Sequence, residues 1–207
     1  IEIEEAISEE LRNEGAEALR NGDVDAAMSV GRRIVDEIIQ NPRVTLDLID
    51  LRSYDDYTYR HSVNVAVIST VIGINMQLNR LALDELSIAA ILHDIGKRRI
   101  DPKIINKKGK LTPEEYTEVK RHSEYGYEMV KSRIDLSAKI KNAILLHHEN
   151  EDGSGYPKGL KGNQIFIYAK IIHVADVFDA LTAKRPYKKA YAQSEAAEYL
   201  MGSCDRM

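Results

Sequence analysis

The sequence predicts an all-α protein, a helical bundle preceded by a helical extension. Three observations carry this. Apolar residues recur at helical spacing along most of the 207 residues. No run of alternating β-branched residues lasts long enough to predict a sheet. Helix start and stop signals recur, the clearest being Thr112-Pro113-Glu114-Glu115, which offers a Thr cap, proline at the first helical position and Glu at the third.

In chain order, Ile3, Ile7, Leu11, Ala18 and Leu19 mark a first helix, ended by Asn21-Gly22-Asp23. Val24, Ala27, Met28, Ile34, Val35, Ile38 and Ile39 mark a second, stopped at Asn41-Pro42. Residues 1–53 thus form an N-terminal helical segment with two open readings. It is a connector or dimerising stalk, or it packs onto the main domain. Residues 54–207 read as a compact helical domain. One helix carries His61, and the next runs from about Leu83 to His93-Asp94. A basic loop covers 98–111, and the helix opened by Thr112 carries His122. Another helix ends at His147-His148, before a glycine-rich loop from Glu149 to Asn163. A further helix holds Asp176 and Asp179, and Ser194 is expected to cap a last one that the chain end cuts short. There is no internal repeat.

Composition excludes several classes of function. A net charge of −4 argues against general affinity for a nucleic-acid polymer or an anionic membrane. The single cysteine, Cys204, cannot form an internal disulfide or a thiolate metal site and suits a reducing compartment. The apolar stretch from Val63 to Met76 is too short and too polar to span a bilayer. The expectation is a cytoplasmic module cut from a longer protein, since the sequence opens at Ile1 without a leader.

The chemistry lies in the histidines at 61, 93, 122, 147, 148 and 173. Singly, each is an ordinary core or surface residue, but the pattern is not ordinary. Asp94 follows His93, and Lys97 is one helical turn on, so Asp94 and Lys97 face one space. His147 and His148 end an apolar helix. Asp176 sits in the apolar run Ile171–Phe178 and needs a cation or hydrogen-bond partners there. Imidazole and carboxylate donors suit Fe, Mn, Zn or Ni. The donors outnumber the needs of one ion. Two ions sharing Asp94 fit the count, in the arrangement that clamps a phosphoryl group and holds a bridging hydroxide for attack.

The segments His93-Asp94-Ile95-Gly96-Lys97 and His147-His148-Glu149-Asn150-Glu151-Asp152-Gly153-Ser154-Gly155-Tyr156-Pro157 resemble the HD-GYP domains, a branch of the HD phosphohydrolases. So do Asp176-Val177-Phe178-Asp179-Ala180-Leu181-Thr182 and Arg185-Pro186-Tyr187-Lys188. The resemblance covers roughly residues 54–205. It implies an HD-domain helical bundle that hydrolyses cyclic di-GMP to pGpG, and onward to GMP in some members. It also implies two divalent ions, Fe or Mn first and Zn or Ni next. One would be held by His61, His93, Asp94 and Asp176, the other by Asp94, His122, His147 and His148. Asp94 and Lys97 would be catalytic. Lys97, Tyr156, Arg185 and Lys188 would bind substrate. A GGDEF-domain protein, an upstream sensory domain and a second copy paired through the N-terminal helices are the expected partners.

Asp152 is a candidate acceptor for a ligand histidine, whereas His173 matches no ligand and is read as structural. Some members hold a third ion with a glutamate four residues before the first histidine. Here that position is Tyr57, with Asp55 and Asp56 at the wrong offsets, so a binuclear centre is expected. Two alternatives stand beside the enzyme: a nucleotide-binding regulatory module with little turnover, and a hydrolase of another cyclic nucleotide.

Overall fold

A computed structural model describes residues 6–40, 57–183 and 190–203. Among these residues there are ten α-helices, two short 3₁₀ turns and no strand. The all-α expectation holds.

Ser8 caps α1 (Glu9–Asn21), accepting from the Leu11 N–H. The first helix therefore starts later than the apolar spacing suggested, because the Ser8 side chain takes a first-turn donor and Ile7 is buried ahead of the cap. α2 (Val24–Gln40) folds back on α1, and Glu37 ties the two by accepting from the Ser8 backbone at 2.7 Å and hydroxyl at 3.0 Å. The hairpin packs onto α3 (Tyr57–Asn75) and α4 (Arg80–Leu92). Ile34 of α2, Val63 of α3 and Ile91 of α4 lie fully buried in one shared core. The Ser87 hydroxyl donates to the Gly31 carbonyl across the α2–α4 contact at 2.8 Å. Apolar surface on this hairpin is thus largely covered within the chain.

α4 is the central helix. Residues Ser87 to Leu92 are all buried, as expected for a helix with neighbours on every side. It packs against α2, α3, α8 (Ala138–Leu146) and α9 (Ile167–Thr182). Beyond it, the stretch expected as a loop over 98–111 contains the end of a 3₁₀ turn (Ile95–Arg99) and a short α5 (Pro102–Ile105) capped by Asp101.

Two helix expectations change. Thr112 does form a capping box with Glu115, but the helix it opens, α6 (Pro113–Lys120), stops at Arg121. His122 instead heads α7 (His122–Val130). Near the end of the chain, α10 (Gln193–Met201) is not capped by Ser194. The Glu195 carboxylate takes the Ala192 N–H at 2.7 Å, which places Ser194 inside the first turn.

Candidate metal centre

Five helices deliver side chains to one buried point. α3 brings His61, and α9 brings Asp176. His93 caps the C-terminus of α4 and Asp94 leads into the 3₁₀ turn. His122 begins α7, and His147 caps the C-terminus of α8 with His148 directly after it. The C-terminal ends of α4 and α8 both meet the cluster, and helix C-termini favour positive charge.

Asp94 lies at the middle. Its Oδ2 is 3.4 Å from His93 Nε2 and 4.0 Å from His61 Nε2, and its Oδ1 is 3.4 Å from His122 Nε2. The donors therefore fall into two groups, each with one atom per residue inside 4.8 Å: His61, His93 and Asp94, then His122, His147 and His148. His122 Nε2 lies 3.2 Å from His147 Nε2. Asp176 Oδ1 joins the first side, 3.0 Å from His61 Nε2. Lys97 Nζ sits 2.5 Å from Asp94 Oδ2 and lines a cavity of about 300 Å³ with Asp94, Tyr59, Arg98 and Asn106.

Four of the five rings are aimed from behind. Nδ1 of His93 is 2.6 Å from the Ala90 carbonyl, Nδ1 of His122 is 2.7 Å from that of Val119, and Nδ1 of His147 is 2.8 Å from that of Ile144. Every acceptor is three residues upstream. His61 differs, with Nδ1 2.6 Å from Asp179 Oδ2. Nδ1 is thereby engaged and Nε2 faces the cluster, the arrangement of a metal-binding imidazole.

The residues fit divalent cations. Both His93 Nε2 and Asp94 Oδ1 are fully buried and have no hydrogen-bond partner, a costly state that a cation would relieve. Electrostatics points the same way. Burial opposes charge on Asp94, yet Lys97 and His93 hold its carboxyl well below the usual range, so it is an anion. Asp176 is likewise held low against burial by His61. Burial lowers His122, lowers His147 strongly with help from His148, and pulls His148 down to about 3. Three neutral imidazoles beside anionic carboxylates form a donor set, not an ion-pair network.

The remaining candidates fall as follows. The Tyr156 ring stacks on His148 at 4.7 Å, and burial pushes its phenol far up, so it stays protonated. His173 Nδ1–H donates to the His147 carbonyl, 2.8 Å away, behind the cluster. Asp152 Oδ1 accepts from the Ser154 N–H within its own loop, and the carboxylate that braces a candidate ligand is Asp179. Arg185, Lys188, Asp55, Asp56, Cys204 and the Tyr57 side chain lie outside the described residues. Sequence reasoning missed the role of Asp179, although its three-residue spacing from Asp176 puts both on one face of α9. It also missed Lys120, whose ammonium lies 5.6 Å over the Tyr156 ring.

Fold and site together define an all-helical protein with a His/Asp centre suited to divalent metal. The family is then specific: the HD domain model matches residues 43–205, and the chain belongs to the HD domain family. A cyclic di-GMP phosphodiesterase of Pseudomonas aeruginosa is 40% identical over 167 residues, 79% of this chain and 40% of that protein. A 3'3'-cGAMP-specific phosphodiesterase of Vibrio cholerae is 34% identical over 178 residues, 84% of this chain and 40% of that protein. The chain spans about 40% of the length of these curated relatives. Among solved structures, an HDG"Y"P protein from Bdellovibrio bacteriovorus superposes with a TM-score of 0.73 over 94% of this chain and 63% of that one, at 21% identity, and shares the fold.

Proposed function

We propose that this chain is a metal-dependent phosphodiesterase that hydrolyses cyclic di-GMP to pGpG. The observation that carries the reading is the split of Asp94, one oxygen toward each group of histidines. His61, His93 and Asp176 would hold one ion with Asp94, while His122, His147 and His148 would hold the other. Nitrogen and oxygen donors without thiolate favour Fe or Mn and accommodate Zn or Ni. When bound, the ions supply Lewis acidity and lower the pKa of water.

The chain's own groups do the rest. Lys97, at the cavity wall, offers an ammonium to charge developing on the phosphate. The protonated Tyr156 hydroxyl can donate to a phosphate or ribose oxygen, and Arg185 and Lys188 would clamp the substrate phosphates. With Tyr57 in place of a third-ion carboxylate, onward cleavage to GMP would be slow. We place the module in the cytoplasm beneath an upstream sensory domain, with a GGDEF-domain protein as partner.

The test pairs elemental analysis of anaerobically purified protein with product identification from cyclic di-GMP. Two equivalents of Fe or Mn and release of pGpG are expected. No pGpG from the metal-loaded protein would leave a nucleotide-binding regulatory module instead. The Vibrio relative motivates a second substrate, so the panel includes 3'3'-cGAMP; faster turnover of it than of cyclic di-GMP would reassign the substrate.

A further inference from the structure

Behind His61 runs a buried chain of hydrogen bonds that ends on the N-terminal hairpin. Arg12 Nη1 on α1 donates to Asn64 Oδ1 at 2.7 Å. Asn64 Nδ2 donates to Asp179 Oδ1 at 3.0 Å, and Asp179 Oδ2 faces His61 Nδ1 at 2.6 Å. Arg12, Asn64, Asp179 and His61 are each less than 5% exposed. An arginine so deep in a helix hairpin is costly where an apolar residue would pack. Its partner Glu9, 3.6 Å from Nε, is half-exposed and does not explain the depth.

We propose that Arg12 is a positioning residue for the metal centre, fixing the polarity of this chain and with it the nitrogen that His61 presents to the metal. The argument is one of donors and acceptors, and it rests on the metal reading above. A guanidinium only donates, so the atom Asn64 turns to it is its carbonyl oxygen. The Asn64 amide nitrogen is then directed at Asp179. A flipped Asn64 would set oxygen against oxygen at Asp179 and nitrogen against guanidinium at Arg12. Held from one side, Asp179 accepts the His61 Nδ1–H with its other oxygen. Nε2 is left facing Asp94 and Asp176. A substitution on α1 therefore reaches a candidate metal ligand through three hydrogen bonds, without touching the centre.

The test compares Arg12→Met with Leu11→Ala, both on α1. Leu11 is fully buried but is not in the chain of hydrogen bonds. Arg12→Met is expected to weaken Mn(II) binding, read by isothermal titration, by about 10–100-fold. In the metal-free protein it should also broaden or shift the hydrogen-bonded Nδ1 proton of His61 in the NMR spectrum. Leu11→Ala should lower stability while holding metal affinity within about twofold and leaving that proton in place. Arg12→Lys, which keeps a donor, should recover most of the affinity and serves if the Met variant does not fold. An unshifted Nδ1 proton in Arg12→Met, equal metal loss in Leu11→Ala, or no recovery in Arg12→Lys overturns the proposal. A wild-type protein that binds no Mn(II) would sink the metal reading instead, and the NMR comparison would still judge the hydrogen-bond chain.

Discussion

Asp94 and Lys97 touch one another, yet they should fail in different ways when replaced. Asp94→Asn leaves one acceptor oxygen where two groups of histidines each face one. It should remove metal from both sides and lower turnover on the order of 10³-fold or more, since metal contributes several kcal/mol to charge stabilisation. Elemental analysis and a pGpG assay on the same preparation check both parts. Lys97→Met removes only a cation beside the cavity. Its metal content should stay at the wild-type value, with kcat down by about 10²–10³-fold. Loss of metal in Lys97→Met would mean that the ammonium holds Asp94 in place and does not serve the phosphate.

Helix ends position four of the five histidines of this centre, and one glycine permits a close contact between two of the elements. A Cβ on Gly96 would lie 1.9 Å from the His122 carbonyl oxygen and 2.3 Å from the Gly126 nitrogen. Gly96→Ala must therefore push the 3₁₀ turn away from α7 and displace His122 from Asp94. Overpacking of this kind costs about 3 kcal/mol, read by urea denaturation, and metal affinity should fall with it. Thr112→Ala is the contrasting case. It should cost about 1 kcal/mol through the lost α6 cap and leave turnover unchanged. The contrast also explains what was legible in the sequence. The Thr112 cap is local, and four residues specify it. The pairing of His93-Asp94 with His147-His148 was legible because residue type and spacing expressed it. The break at Arg121 was not, because it answers to the packing of α7 against the 3₁₀ turn. The bracing of His61 by Asp179 was not either, since those residues meet across 118 positions of chain.

Assembled, the protein carries a pH dependence that its parts do not have. The imidazoles of His122, His147 and His148 are buried with pKa values below the ordinary 6.5, His148 at about 3. Below pH 6.5 the unfolded chain binds protons that these rings refuse, so metal-free stability should fall with pH from about 6.5 toward 3. The slope is up to about 1.4 kcal/mol per pH unit for each ring. His61 runs the other way. Burial opposes its charge, but Asp176 and Asp179 raise it above 6.5, so its contribution is complete below 6.5 and is lost only at higher pH. Asp94 and Asp176, held low, lose their contribution only as pH drops below the usual carboxylate range of about 4. Denaturant melts in EDTA between pH 6.5 and about 5.5 thus report mainly on the three rings, and a flat profile there would count against their buried neutral state. At pH 7, added Mn(II) should raise Tm in a concentration-dependent way.

The carbonyls behind His93, His122 and His147 bear on how such a centre can change over generations. Main-chain oxygens are the one kind of partner that no codon change deletes, so the aim of those three rings is inherited with the helices themselves. His61 leans on the Asp179 carboxylate and His148 on the Tyr156 ring, both of which a point mutation can alter. Divergence in metal preference among descendants of this sequence should therefore be written at Asp179, Tyr156 and the residues behind them, while the other three rings stay at the termini of their helices.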